Sequence, residues 1–127
     1  MATNYVSEGE VWQWTNNTGA SVASGQMVKM SHTLGVAMQT IANGATGSVQ
    51  VEGVFSAIPK VSGAVFVQGE KLVWDVSANG GLGAFDDSAA TPASGDLTGA
   101  ATAHVAGSDG QTTCTVYISP RNATLTA

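Results

Sequence analysis

The residues able to do chemistry are few and scattered along the chain. His32 and His104 stand alone. Neither has the His-x-x-x-His or Glu-paired spacing by which metal sites are usually read, so surface or hydrogen-bonded structural roles are expected. Cys114 is the single cysteine, which excludes an internal disulfide and any multi-cysteine zinc site. It falls in an alternating run, where a thiol behaves as a small apolar core residue. A reactive thiolate needs an electropositive setting, and its threonine neighbours supply none. Asp86-Asp87 could approach a cation, but calcium takes about six to eight oxygens from a shaped loop. No Asp-x-Asp-x-Asp-Gly ladder accompanies the pair, so a solvated loop is expected. Glu8 and Glu10 would share a face of an extended segment and read as a charged strand edge. No glycine-rich stretch ends in Gly-Lys-Ser or Gly-Lys-Thr, so a phosphate loop is absent. The expectation is a protein with no catalytic residues, no cofactor and no metal.

The aromatic residues carry more information. Trp12 and Trp14 lie two apart in a β-favourable run, so both point to one face. One reading is a packed core face. The other is an exposed or interfacial patch, since tryptophan and tyrosine are enriched at contact sites. Tyr5 and Val6 belong to an N-terminal arm with no evident anchor, and such termini fray unless they dock. Tyr5, Val6, Trp12 and Trp14 are therefore the candidate interface residues.

The elements that must position these residues are strands. Ala, Gly, Thr and Ser make 61 of the 127 residues and only 10% of the chain is charged, a composition that gives a helical bundle too little Leu, Glu and Lys. With 43% of residues hydrophobic and a net charge of −5, disorder is also excluded. Short β-favourable runs occur at Val11–Trp14, Met27–Met30, Leu34–Met38 and Leu72–Trp74. Ser48–Phe55 alternates most clearly, with Val49, Val51 and Gly53 on one face. Asn43-Gly44 before it suits a tight hairpin after a strand ending at Ile41. Thr112–Ile118 forms a last long strand, setting Cys114, Val116 and Ile118 against Thr113, Thr115 and Tyr117. A single short helix or a loop is expected over Pro59–Gln68. The Ala-, Ser-, Asp- and Gly-rich stretch 81–95 reads as a mobile surface loop. The fold class is all-β: one small β-barrel or β-sandwich of about six to eight short strands. Residues 1–10 form an extended N-terminal arm and residues 11–127 the single domain.

Charge excludes more than it assigns. The first 71 residues balance to −1 and the remainder, with five aspartates against Arg121, to −4. Phosphate binding needs clustered Lys and Arg, so direct nucleic-acid binding is not expected. No apolar run reaches a membrane span of about 18 residues, and no signal-peptide layout opens the chain. A soluble protein outside the common secretory route is expected.

The residues also carry a resemblance. Asn4-Tyr5-Val6-Ser7-Glu8-Gly9-Glu10 at the start resembles the opening of small tailed-phage capsid cement, or head decoration, proteins. Leu34-Gly35-Val36-Ala37 is similar to that family's Gly-Val-Ala strand. Glu52-Gly53-Val54-Phe55, Ile58-Pro59-Lys60, Gly69-Glu70-Lys71 and Val73-Trp74-Asp75 follow in the family's order. The likeness covers about Asn4 to Asp75, leaving Trp12-Gln13-Trp14 and the tail after Ser119 unmapped. It implies a protein made in the host cytoplasm that sits on the outer surface of the virion. There it would form a homotrimer and tie major capsid protein subunits together after the shell expands. Two rival readings remain. A carbohydrate-binding or adhesion module would use Trp12, Trp14 and Trp74 as an exposed platform, and an enzyme or enzyme accessory would rest on Asp86-Asp87 and His104.

Overall fold

The computed structural model describes residues 9–127. Among them ten strands form two antiparallel sheets, with a single 3-10 turn at Asn79–Gly81 as the only helical piece. The smaller sheet takes β1 (Val11–Thr15), β2 (Met27–Met30), β3 (Thr33–Ala37) and β4 (Thr46–Gln50) in the order β1-β4-β3-β2. The larger takes β5 (Gly53–Pro59), β6 (Lys71–Asp75), β7 (Ala84–Asp86), β8 (Leu97–Ala103) and β9 (Thr113–Ile118) in the order β5-β9-β8-β6-β7. Its sixth strand, β10 (Thr124–Leu125), pairs with β8.

The larger sheet rolls up on itself. Its outermost strands meet where Lys60 bridges to Phe85, and the Val61 amide donates to the Phe85 carbonyl at 2.9 Å. A bulge between Phe55 and Ile58, with Ala57 at φ 58°, bends β5 enough to allow it. The alternation predicted for β9 appears as drawn: Cys114, Val116 and Ile118 are buried while Tyr117 is exposed. These side chains join Leu72, Trp74, Phe85 and Leu97 in the main core. Met27, Leu34 and Val36 reach into that core from one face of the smaller sheet.

The opposite face of the smaller sheet builds a second core. Val28, Ala37 and Val49 are covered there by Val22 and Ile41, which face each other in an isolated bridge between the two loops flanking the sheet. Asn16, fully buried, ties those loops down. Its Nδ2 donates to the carbonyls of Ala20 at 2.8 Å and Ile41 at 2.9 Å, and its Oδ1 accepts from the amide and hydroxyl of Thr18. A buried amide with every bond made costs little and fixes one geometry.

Several expectations are corrected. Ser48–Phe55 is not one strand: the chain leaves the smaller sheet after Gln50 and enters the larger at Gly53, whose φ is +146°. Ile41 and Ser48 do not flank a tight hairpin, because β3 ends at Ala37 and a longer connection, turning at Gly44, leads to β4. Of the short helix or loop expected over Pro59–Gln68 the structure has the loop: Pro59 ends β5, and Phe66 is pinned by an antiparallel bridge to Gly107. Stretch 81–95 is not simply a loop, because it contains β7. Phe85 there is completely buried, edge-on to Trp74 with ring centroids 4.8 Å apart. Gly83 makes that contact possible: a Cβ on it would sit 2.2 Å from the Trp74 ring. β8, the central strand of the larger sheet, was not predicted at all.

Candidate contact surface

Among the described residues, several of the side chains with chemical potential are engaged in holding the fold. Lys60 is buried among backbone carbonyls, not carboxylates. Its Nζ donates to Val61 at 2.9 Å, Gln111 at 3.2 Å and Ser62 at 3.4 Å, and lies 5.8 Å from the Phe66 ring centroid. This ties the stretch that follows β5 to the turn at Gln111 that precedes β9. Asp96, equally buried, accepts the Val76 amide on one oxygen and the Ala93 amide on the other. Glu70 accepts from the amide and hydroxyl of Ser88 and from the Val67 amide, and these bonds hold its carboxyl below the usual range.

Asp86 and Asp87 serve the backbone. Asp86 accepts the Asp87 amide, and Asp87 accepts the amides of Ala89 and Val65. His32 is exposed beside the Ser31 hydroxyl and His104 is exposed as well. Among the described residues no three His, Cys, Asp or Glu side chains are grouped to hold a metal. No helix there is long and apolar enough to cross a membrane.

Burial pushes the Cys114 thiol up to about 11, with the charge of Lys60 opposing weakly. At pH 8 the thiolate would then be about one part in a thousand. We expect iodoacetamide at pH 8 to leave Cys114 unmodified in the folded protein and to label it fully once denaturant is added. Rapid stoichiometric labelling of the native protein would show this placement to be wrong.

Exposed apolar side chains are spread over several elements, Val67 and Leu82 among them, and on β1 Val11 and Trp12 stand side by side with uncharged Gln13 and Thr15. Every residue of this strand except Trp14 is exposed. Trp12 and Trp14 share one face, as their spacing predicts, because Trp12 stands opposite Val49 and Trp14 opposite Gly47. Trp14 packs against the second core, whereas Trp12 stays 37% exposed at the sheet margin. The Trp12 indole donates to the Gly9 carbonyl at 2.9 Å. Trp14 thus leans on a core while Trp12 faces outward. Tyr5, Val6 and Glu8 lie outside the described residues.

Trp74 is only 2% exposed, so the three-ring sugar platform loses one member to the main core. No motif had pointed to Asn16, Lys60 or Asp96 as structural pins. An apolar setting around each polar residue was the available signal, and it needs the fold to be seen.

No curated protein and no solved structure matches the chain. The family model for phage cement proteins matches residues 6–118. The match includes the Trp12-Gln13-Trp14 segment that the motif comparison had left unmapped and stops just short of Ser119. With nearly the whole rolled sheet and all of the smaller one inside that span, the chain belongs to the phage cement protein family.

Proposed function

We propose that the protein binds the outside of an expanded icosahedral head and stabilises the lattice of major capsid protein, acting as a homotrimer. Membership of the family makes it a structural component associated with a phage capsid. The observation that supports the finer reading is the outward, uncharged β1 strand with half-exposed Trp12, which Tyr5 and Val6 precede closely in sequence. A pinned domain with few long charged side chains loses little side-chain entropy on docking. Three linked copies convert modest contacts into tight attachment through effective concentration. The arm residues Tyr5 and Val6 are assigned to a strand added to the capsid surface, where backbone hydrogen bonds supply affinity.

A ligand that binds the assembled lattice and not the separated subunits stabilises the lattice by mass action. Heads lacking the protein should therefore release DNA at a lower temperature, and adding purified protein should restore the higher one. Equal heat release from bare and saturated heads would overturn the reading. In the same assay, deleting residues 2–9 should lower occupancy.

A further inference from the structure

The β1 strand presents an open hydrogen-bonding edge. It ends the smaller sheet, and its hydrogen-bond parity can be read from its flanks. The Val51 amide donates to the Glu10 carbonyl and the Asn16 amide to the Ala45 carbonyl, so the even-numbered residues bond to β4. Val11, Gln13 and Thr15 consequently direct their N–H and C=O groups away from the sheet, with no backbone partner among the described residues. Exposed edges in natural proteins are blunted by lysine, proline, bulges or brevity. β5 has its bulge and Pro59, and β7 has three residues. β1 has none of these: Val-Trp-Gln-Trp-Thr is regular, five residues long and uncharged.

We propose that the occupant of this edge is β1 of a second copy, paired antiparallel about a two-fold axis through Gln13. The strand is close to a palindrome around that residue, as an isologous contact requires. The register sets Gln13 against Gln13 and Val11 against Thr15 of the second copy as hydrogen-bonded pairs, using the six outward groups. Trp12 then stands opposite Trp14 of the second copy, twice over, at the non-hydrogen-bonded positions where side chains come closest. Aromatic pairs there are among the stabilising cross-strand contacts. Charge agrees with the same register. Glu10 falls opposite uncharged Asn16, and the two Glu10 residues lie about 20 Å apart along the strand. The result is one continuous sheet of eight strands with the four indoles on one face.

A five-residue seam is smaller than the ~1,000 Å² of a durable interface, so the pairing is reversible and concentration-dependent in solution. The inference assigns only the hydrogen-bonding edge of β1; the face that bears Trp12 and the arm stay with the proposed shell contact, and no head is needed for the test. In a hydrogen-bonded antiparallel pair the Cα atoms are about 5.5 Å apart, within disulfide range. Under mild oxidation the full-length Gln13→Cys variant should therefore form covalent dimers well above the yield of Ser108→Cys, an exposed site elsewhere. Buried Cys114 is the control for background.

In sedimentation at rising concentration, the unmodified protein should double whatever mass the Gln13→Lys variant retains, because that substitution opposes two ammonium groups at the axis. Gln13 is exposed, so either variant should fold. The proposal is overturned if Gln13→Cys links no better than Ser108→Cys. It is equally overturned if linking appears only after residues 2–8 are deleted, since the chain's own arm would then cover the edge. A Gln13→Lys variant that associates as the unmodified protein does would also remove it. Loss of dimerisation with unchanged head binding would separate this contact from the capsid reading.

Discussion

Phe85→Ala is expected to cost about 3–5 kcal/mol of stability, the range for deleting a fully buried aromatic ring. In a domain of this size that is a fall of roughly 10–20 °C in Tm. Phe85 has no solvent exposure, and it stands edge-on to Trp74, a geometry that adds about 0.5–1.5 kcal/mol beyond area burial. Its carbonyl also receives the Val61 amide, so the ring anchors the seam at which the larger sheet meets itself. Because Gly83 also presses close against the Trp74 indole, that ring has little freedom to move into the vacated space. Phe85→Leu should recover most of the loss, since it restores much of the volume. Chemical denaturation with an unchanged m-value would check the figure. A loss under 1 kcal/mol would mean that the ring is not where the core places it.

Asn16→Ala should cost about 1–3 kcal/mol, although it removes no apolar contact of note. The substitution removes one of the two donors on the Ala20 and Ile41 carbonyls, which keep the Thr18 hydroxyl and the Val22 amide, and leaves the Thr18 amide without its acceptor. Each buried polar group left unsatisfied costs about 1–3 kcal/mol, and water entering from the loop side would offset part of the sum. Asn16→Asp provides the sharper comparison. It keeps the acceptor for Thr18 but loses both donors and sets a carboxylate against two carbonyls at a site with no exposure. It should therefore be worse than alanine near neutral pH and recover in acid, as protonation removes the charge. Equilibrium unfolding of the two variants at neutral and acidic pH would test this. Equal stability of both at all pH values would refute the pinning role.

The contrast between elements explains what was legible. β9 was readable because one of its faces lies on the core and the other in water, giving a two-residue alternation in Cys114–Ile118. β1 was readable for its tryptophans and their shared face. β8 was not: Leu-Thr-Gly-Ala-Ala-Thr-Ala has no bulky alternation, yet Leu97, Ala100, Ala101 and Ala103 are all buried. A strand flanked by β6 on one side and by β9 and β10 on the other is crowded, and small side chains are what fit. The break after Gln50 was hidden because periodicity reports faces and not sheets. Val51 continues the pattern of Val49 while the chain passes between layers. The contact surface was half legible. Spacing placed both tryptophans on one side, but only the second core beneath Trp14 separates the ring that is held from the ring that is free.

The rolled sheet also bears on how a load is shared. Where β5 and β7 meet through Lys60 and Phe85, no terminal strand is left there to peel away one bond at a time. The smaller sheet is joined to it by the short passage from Gln50 to Gly53 and by the inward side chains of β2 and β3. Tension applied at β1 would thus be spent first on that four-stranded unit, which would yield like a mechanical fuse while the rolled body kept its shape.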